Sequence, residues 1–138
     1  HRPGDGVEAD NGGAVHAHNV WGNMPSVLHQ ARMIAPEARR PLLVRWLMRR
    51  GDDYEGARSR FLPFSRLVEP DLANRRDIAT LLAKALAHQV PSFVVVNNKA
   101  EGCAPATIIE LAREVVALCS SEAYTLAGMS PRPKAPGS

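Results

Sequence analysis

A chain of 138 residues has room for one domain with a hydrophobic core, but it is short for a closed α/β barrel of about 250 residues. Its 17 Lys plus Arg against 14 Asp plus Glu leave a formal charge of +3, scattered and without interleaved aromatic residues, so a nucleic-acid surface is not indicated. No apolar run approaches the roughly 18 residues that span a bilayer, and no membrane-spanning helix is expected.

The opening HRPGDGVEADNGG (1–13) is polar and glycine-rich and reads as a mobile tail. A start at His1 rather than methionine points to a fragment or a processed product. Ala14 to Val20 reads as the first strand, and Pro25 to Ile34 as a helix with Val27, Leu28, Ala31 and Ile34 on one side, Asn23 being its candidate cap. LLVRWLM, from Leu42 to Met48, is the second strand, introduced by Pro41 and broken by Gly51. A long connection follows to Asp71. It holds a short helix from about Tyr54 to Arg60 and then FLPFSRLVEP, where Pro63 and Pro70 interrupt regular structure. Connections longer than about 12 residues in a compact domain tend to be lids or binding loops. Tyr54, Phe61 and Phe64 are therefore either lid residues or anchors that hold the loop down.

The next helix spans about Arg75 to His88, with Asn74 as cap, Asp77 three residues on, and a buried stripe of Ile78, Leu81, Leu82 and Ala85. Pro91 opens the third strand. Its continuous apolar run Phe93 to Val96 fits a strand buried on both faces and places Asn97, Asn98, Lys99 and Glu101 at the carboxyl end. Gly102 permits a sharp turn, Pro105 suits the first helical position, and Ile108, Leu111, Val115 and Leu118 give a last helix one apolar face to about Cys119. The closing 121–138 is rich in Pro, Ser and Gly and reads as a second tail, which leaves one domain at 14–120. Strand and helix alternate three times, so the fold class is α/β with parallel strands and right-handed crossovers. Cys103 and Cys119 form neither a metal-type CxxC pair nor a disulfide framework, so reduced thiols in a cytoplasmic protein are expected.

Three segments, HNVWGNMPSVLHQ (His18 to Gln30), LLVRWLMRRGDDYEGARSRFLPFSRLVEP (Leu42 to Pro70) and FVVVNNKAEGCAPATI (Phe93 to Ile108), together resemble the carboxyl-terminal part of the family catalogued as domain of unknown function seventy-two. The most specific piece is NN-x-x-EG-x-AP-x-TI, here Asn97, Asn98, Glu101, Gly102, Ala104, Pro105, Thr107 and Ile108. The resemblance covers nearly all of Ala14 to Leu118. It implies a TIM-like barrel of which this chain holds the last three βα units. Three strands cannot close a barrel, so the remaining half, on a longer chain, or association with a second copy is expected to cover the open apolar face.

In such a barrel the strand carboxyl ends converge on one rim, where Asn19, Arg45 with Arg49, and Asn97 with Asn98 are the polar groups. Arg45 lies inside an otherwise apolar strand, where a guanidinium needs a carboxylate, a phosphate or several carbonyls. Two readings stand side by side: a structural ion pair, with Glu101 as the candidate partner, or an anion-binding group. The turn at Gly102, Cys103 and Ala104 also has two readings. Its N–H groups can cradle a phosphate beside a helix start, or Glu101 can complement the helix dipole while the asparagines satisfy loop backbone. Asn98 is, besides, a residue that tolerates a left-handed backbone.

His16 and His18 share a strand face, as in an HxH metal pair, but lack further ligands at recognisable spacing, and no metal site is expected. No nucleophile elbow, Walker loop or dinucleotide fingerprint is present, so no cofactor is implied. Two functional classes follow. One is an enzyme acting on a sugar-like or phosphorylated small molecule, with Glu101 as general acid or base, Arg45 holding the anion, Asn19, Asn97 and Asn98 orienting hydroxyls, and Tyr54 and Gly102 completing the site. The other is a non-catalytic ligand-binding or scaffold protein that uses the same rim.

Overall fold

The alternation of apolar strands and amphipathic helices produces a three-stranded parallel sheet in the computed structural model, which describes residues 15–33 and 40–126. The order of elements is β1 (Ala17–Gly22), α1 (Val27–Met33), β2 (Leu42–Arg50), α2 (Tyr54–Phe61), α3 (Leu72–Ala87), β3 (Ser92–Val96) and α4 (Ala104–Leu126). Strands lie in the order β1-β2-β3, both pairings parallel. Register fixes the rows across the sheet: Ala17, Leu43 and Phe93 lie side by side, then His18, Val44 and Val94, then Asn19, Arg45 and Val95.

Because successive side chains point to opposite faces, these rows divide the sheet into two unlike surfaces. Val20, Val44 and Trp46 turn toward the helices and are buried with Val27, Ile78, Ala79, Ala100, Leu111 and Val115. Full burial of each such large apolar side chain contributes about 1.5–3 kcal/mol. A second cluster, Met48, Ala57 and Phe61 with Phe64 and Val68 against it, holds the long β2–α3 connection down. The other face stays open: Phe93 is 59% and Val95 54% exposed, and Arg45 is exposed between Asn19 and Val95. The expectation that β3 is buried on both faces is thus corrected. The described helices supply cover for one face only, so alternate residues of an apolar strand end up in water.

Helix starts also depart from the sequence reading. Ser26, not Asn23, caps α1, its hydroxyl accepting the His29 N–H at 3.2 Å. Asp71, not Asn74, caps α3, its carboxylate accepting from the Asn74 backbone and side chain. Pro105 takes the second helical position, one later than expected, where its missing N–H is still without cost. The last helix continues past Cys119 to Leu126, because Ser120 to Leu126 contains no Gly or Pro to stop it, so that part of the expected tail is helical. Ala14, Ile34, both remaining tail segments (1–13 and 127–138) and Arg39 lie outside the described residues.

His18 lies on the covered face of β1, 8% exposed, with Nδ1 3.3 Å from the Leu43 carbonyl oxygen. A carbonyl only accepts, so Nδ1 carries the hydrogen and donates. Burial, opposed by that hydrogen bond and reinforced by neighbouring His16, holds the imidazole below its ordinary value of 6.5. The unfolded chain then binds this proton more readily than the folded one, and stability falls as pH drops from 6.5 through the folded-state value. Thermal melts between pH 7.5 and 5 are expected to show a falling midpoint that His18→Gln flattens; an unchanged slope in the variant would show that other groups carry the effect.

Candidate functional site at the carboxyl ends of the strands

Parallel pairing brings Asn19 and Arg45 side by side, and their side chains meet: Arg45 Nη1 donates to Asn19 Oδ1 at 3.3 Å. Asn19 is itself held in place. Its Nδ2 donates to the Ala17 carbonyl, while Gln30 of α1 brackets its backbone, accepting from the N–H and donating to the oxygen. Arg45 has no carboxylate partner within salt-bridge distance among the described residues. The structural pair with Glu101 is therefore not formed.

Glu101 instead meets Arg75, in the first turn of α3, with Oε2 accepting from Nη2 at 2.6 Å. Both side chains are buried, Glu101 completely. The same Oε2 accepts the Asp71 N–H at 2.6 Å, and the Glu101 carbonyl accepts from Val68 and Glu69 at 2.8 and 3.2 Å. Glu101 Oε1 and Arg75 Nε find no partner among the described residues, so the pair engages through one prong of the fork rather than two. A carboxylate enclosed in this way fastens the β3–α4 turn to the end of the long connection and to the start of α3. It does not reach a ligand on the rim, as a general acid or base must.

In the turn itself the asparagines satisfy loop backbone, as the second reading has it, while the Glu101 carboxylate goes to Arg75 and the Asp71 N–H rather than to the helix start. Asn98 Oδ1 accepts the Ala104 N–H at 2.8 Å and the Asn98 carbonyl accepts the Gly102 N–H at 2.8 Å, while Asn97 Oδ1 accepts the Lys99 N–H at 2.9 Å. Two of the three N–H groups expected to cradle a phosphate are thus spent within the turn. Left-handed backbone falls at Phe64 and Gln89 among the non-glycine residues, not at Asn98. Gly102 has φ +118, and a Cβ there would stand 2.6 Å from the Arg66 carbonyl oxygen and 2.9 Å from the Val68 nitrogen. Its role is close backbone packing, not ligand contact.

Tyr54 is exposed at the start of α2, and the Lys99 ammonium lies 4.1 Å from its ring centroid and 5.9 Å from that of Phe64. Phe61 and Phe64 pack into the second cluster, so these two aromatics anchor the connection rather than flap over the rim. Along β2, Arg49 pairs with Glu69, which also meets Arg60, and Arg60 pairs with Asp52. Glu69 and Arg75 are the residues that sequence reasoning did not assign to this region; Lys99 was placed at the strand end but given no role. The signal for Arg75 was its place inside a stripe of helix otherwise facing the core, which needs a buried partner. His16 and His18 stack edge to face with centroids 5.2 Å apart, and no group of three or more His, Cys, Asp or Glu able to hold a metal occurs among the described residues.

No family model, curated protein or solved structure matches this chain. No helix among the described residues is long and apolar enough to cross a membrane.

Two stability tests follow from this geometry. Glu101→Gln leaves the Arg75 charge buried without its counter-ion and is expected to cost about 3–5 kcal/mol in chemical denaturation, whereas adding Arg75→Met recovers part of that loss; strictly additive effects would deny the coupling. Gly102→Ala forces a side chain against backbone that cannot yield and is expected to cost at least about 2 kcal/mol. A midpoint equal to that of the unaltered chain would remove the close-packing role.

Proposed function

We propose that this chain supplies the last three βα units of a TIM-like barrel related to the domain of unknown function seventy-two family, and that the open face of its sheet binds an anionic small molecule through Arg45. The parallel order of the strands and the placement of α1, α3 and α4 on one side support the barrel reading, since a barrel keeps its helices outside and its strands' other side chains inside, with ligands at the carboxyl-terminal rim. One observation carries the binding reading. Among the described residues Arg45 meets only the neutral amide of Asn19, and unlike Arg32, Arg58 and Arg66, which are also exposed and without a carboxylate, it projects from the middle of a strand; Arg49, Arg60, Arg75 and Arg76 each meet a carboxylate. A fixed guanidinium without a counter-charge is a site for an anion.

The geometry favours binding over catalysis by the residues of this chain. Glu101, expected as general acid or base, is enclosed against Arg75, and Asn97 and Asn98 are committed to backbone. The anion-holding part of the enzyme reading survives, the proton-transfer part has no candidate left, and the non-catalytic ligand-binding alternative takes precedence. Free Cys103 and Cys119 fit the cytoplasmic location expected from the sequence.

Titration of the chain with acetate and with inorganic phosphate by isothermal calorimetry or NMR tests the reading. Binding that weakens with salt and falls about tenfold or more in Arg45→Gln is expected. Equal binding by both proteins would refute it, and Arg45 is exposed enough that its replacement should leave the melting temperature unchanged.

A further inference from the structure

From the two edges of the sheet, and independently of the Arg45 site, we infer that the chain forms a twofold homodimer in which β3 pairs antiparallel with β3 of a second copy and α4 packs on its counterpart. The outer edge of β1 is already closed by its own chain. Asn19 Nδ2 donates to the Ala17 carbonyl at 2.9 Å, Gln30 accepts the Asn19 N–H at 2.9 Å and donates to the Asn19 oxygen at 2.7 Å, and the Met24 N–H donates to the Trp21 carbonyl at 3.2 Å. Ala17, Asn19 and Trp21 are alternate residues of the strand, and theirs are the backbone groups that face away from β2. A strand arriving there meets carbonyls that are already bonded.

The outer edge of β3 is the opposite case. The Leu42 N–H donates to the Pro91 carbonyl and the Asn97 N–H to the Trp46 carbonyl, both at 2.9 Å, which turns the odd-numbered residues of β3 toward β2. The N–H and C=O groups of Ser92, Val94 and Val96 therefore point outward, and those of Val94 and Val96 meet no partner among the described residues. Edges that lack a charge, a proline or a bulge are the ones that pair with another chain, and Ser92–Val96 has none of the three. The helix above it matches. α1 packs on β1 and α3, while α4 packs on α3 and β3, so the flank of α4 away from α3 overhangs this edge. Glu114 reaches Arg76 of α3 from one flank; Ile108, Ala112 and Val116, a row at four-residue spacing, lie on the other with Ile109 beside them. All four are exposed.

A second copy satisfies both features at once. A twofold axis normal to the sheet sets Val94 opposite Val94 of the partner subunit and Ser92 opposite Val96 of the partner subunit, which pairs the outward N–H and C=O groups and brings the two α4 flanks together on one side. Neither the strand nor the α4 row carries a charge into the contact. Because the β1 edges are sealed, growth ends at two copies, whereas a sheet open at both edges would run on into a fibre. Closing a ring with a further barrel half requires β1 to release its bonds to Gln30 and Asn19 as well; the dimer requires nothing of β1.

Sedimentation velocity on the 138-residue chain, from micromolar to submillimolar concentration, is expected to show a monomer–dimer equilibrium that the double variant Ile109→Lys, Val116→Lys weakens at least about a hundredfold. Amide hydrogen exchange on the unaltered chain reads the strand directly: Val94 and Val96 gain protection as the dimer fills, while Asn19 is equally protected at every concentration. Circular dichroism melts of the dilute double variant check that these exposed replacements leave the fold intact. A monomer throughout, assembly beyond two copies, or a dimer whose Val94 and Val96 amides exchange freely would each overturn the inference. So would a dimer that the folded double variant leaves as tight as before, since the contact would then lie elsewhere.

Discussion

The buried pair between Glu101 and Arg75 organises this structure. A carboxylate wholly removed from water is tolerated only where its charge is matched, and here one oxygen serves both the Arg75 guanidinium and the Asp71 backbone. Through that oxygen the β3–α4 turn, the end of the β2–α3 connection and the first turn of α3 become one unit. Gly102 makes the approach possible, since the adjoining backbone of Arg66 and Val68 occupies the space a side chain would need. The rim of the sheet is therefore built from the inside, by a charge that never meets solvent.

This arrangement explains why the polar residues at the strand ends divide into two sets. Asn97, Asn98, Glu101 and Gly102 are close together in sequence and look like a binding loop, yet their hydrogen-bonding capacity goes into holding the turn. Asn19 and Arg45 are far apart in sequence and meet through the register of β1 on β2. The anion binding proposed above rests on this second set, whose register neighbours are Ala17, Leu43, Phe93 and Val95.

Much of the fold was legible in the residues. Periodicity placed three strands and four helices in the right order, and the alternation of strand and helix implied parallel pairing. Helix starts were less legible because a cap is chosen partly by tertiary contact: Asp71 begins α3 because its own N–H is held by Glu101 from another part of the chain. The candidate site was read in part. Arg45 stood out as a charge inside an apolar strand, and its proximity to Asn19 followed from parallel order. Its separation from Glu101 did not, because one residue of offset decides which face of a strand a side chain takes, and Arg75 offered Glu101 a nearer cation. The openness of the face around Phe93 and Val95 was likewise invisible locally, since a run of valines has the same letters whether or not a second layer covers it.

The position of β2 between its neighbours constrains how the chain can be assembled. β1, α1 and β2 are consecutive and can join early, but the second edge of β2 waits for a strand that emerges only after α2 and α3 have been made. Until that strand arrives, α3 carries Arg75 with no counter-charge to accompany it inward. A nascent polypeptide ending before Pro91 can lay Ile78 and Ala79 of its third helix against Val20, Val27, Val44 and Trp46, but lacks the carboxylate that Arg75 meets in the finished fold.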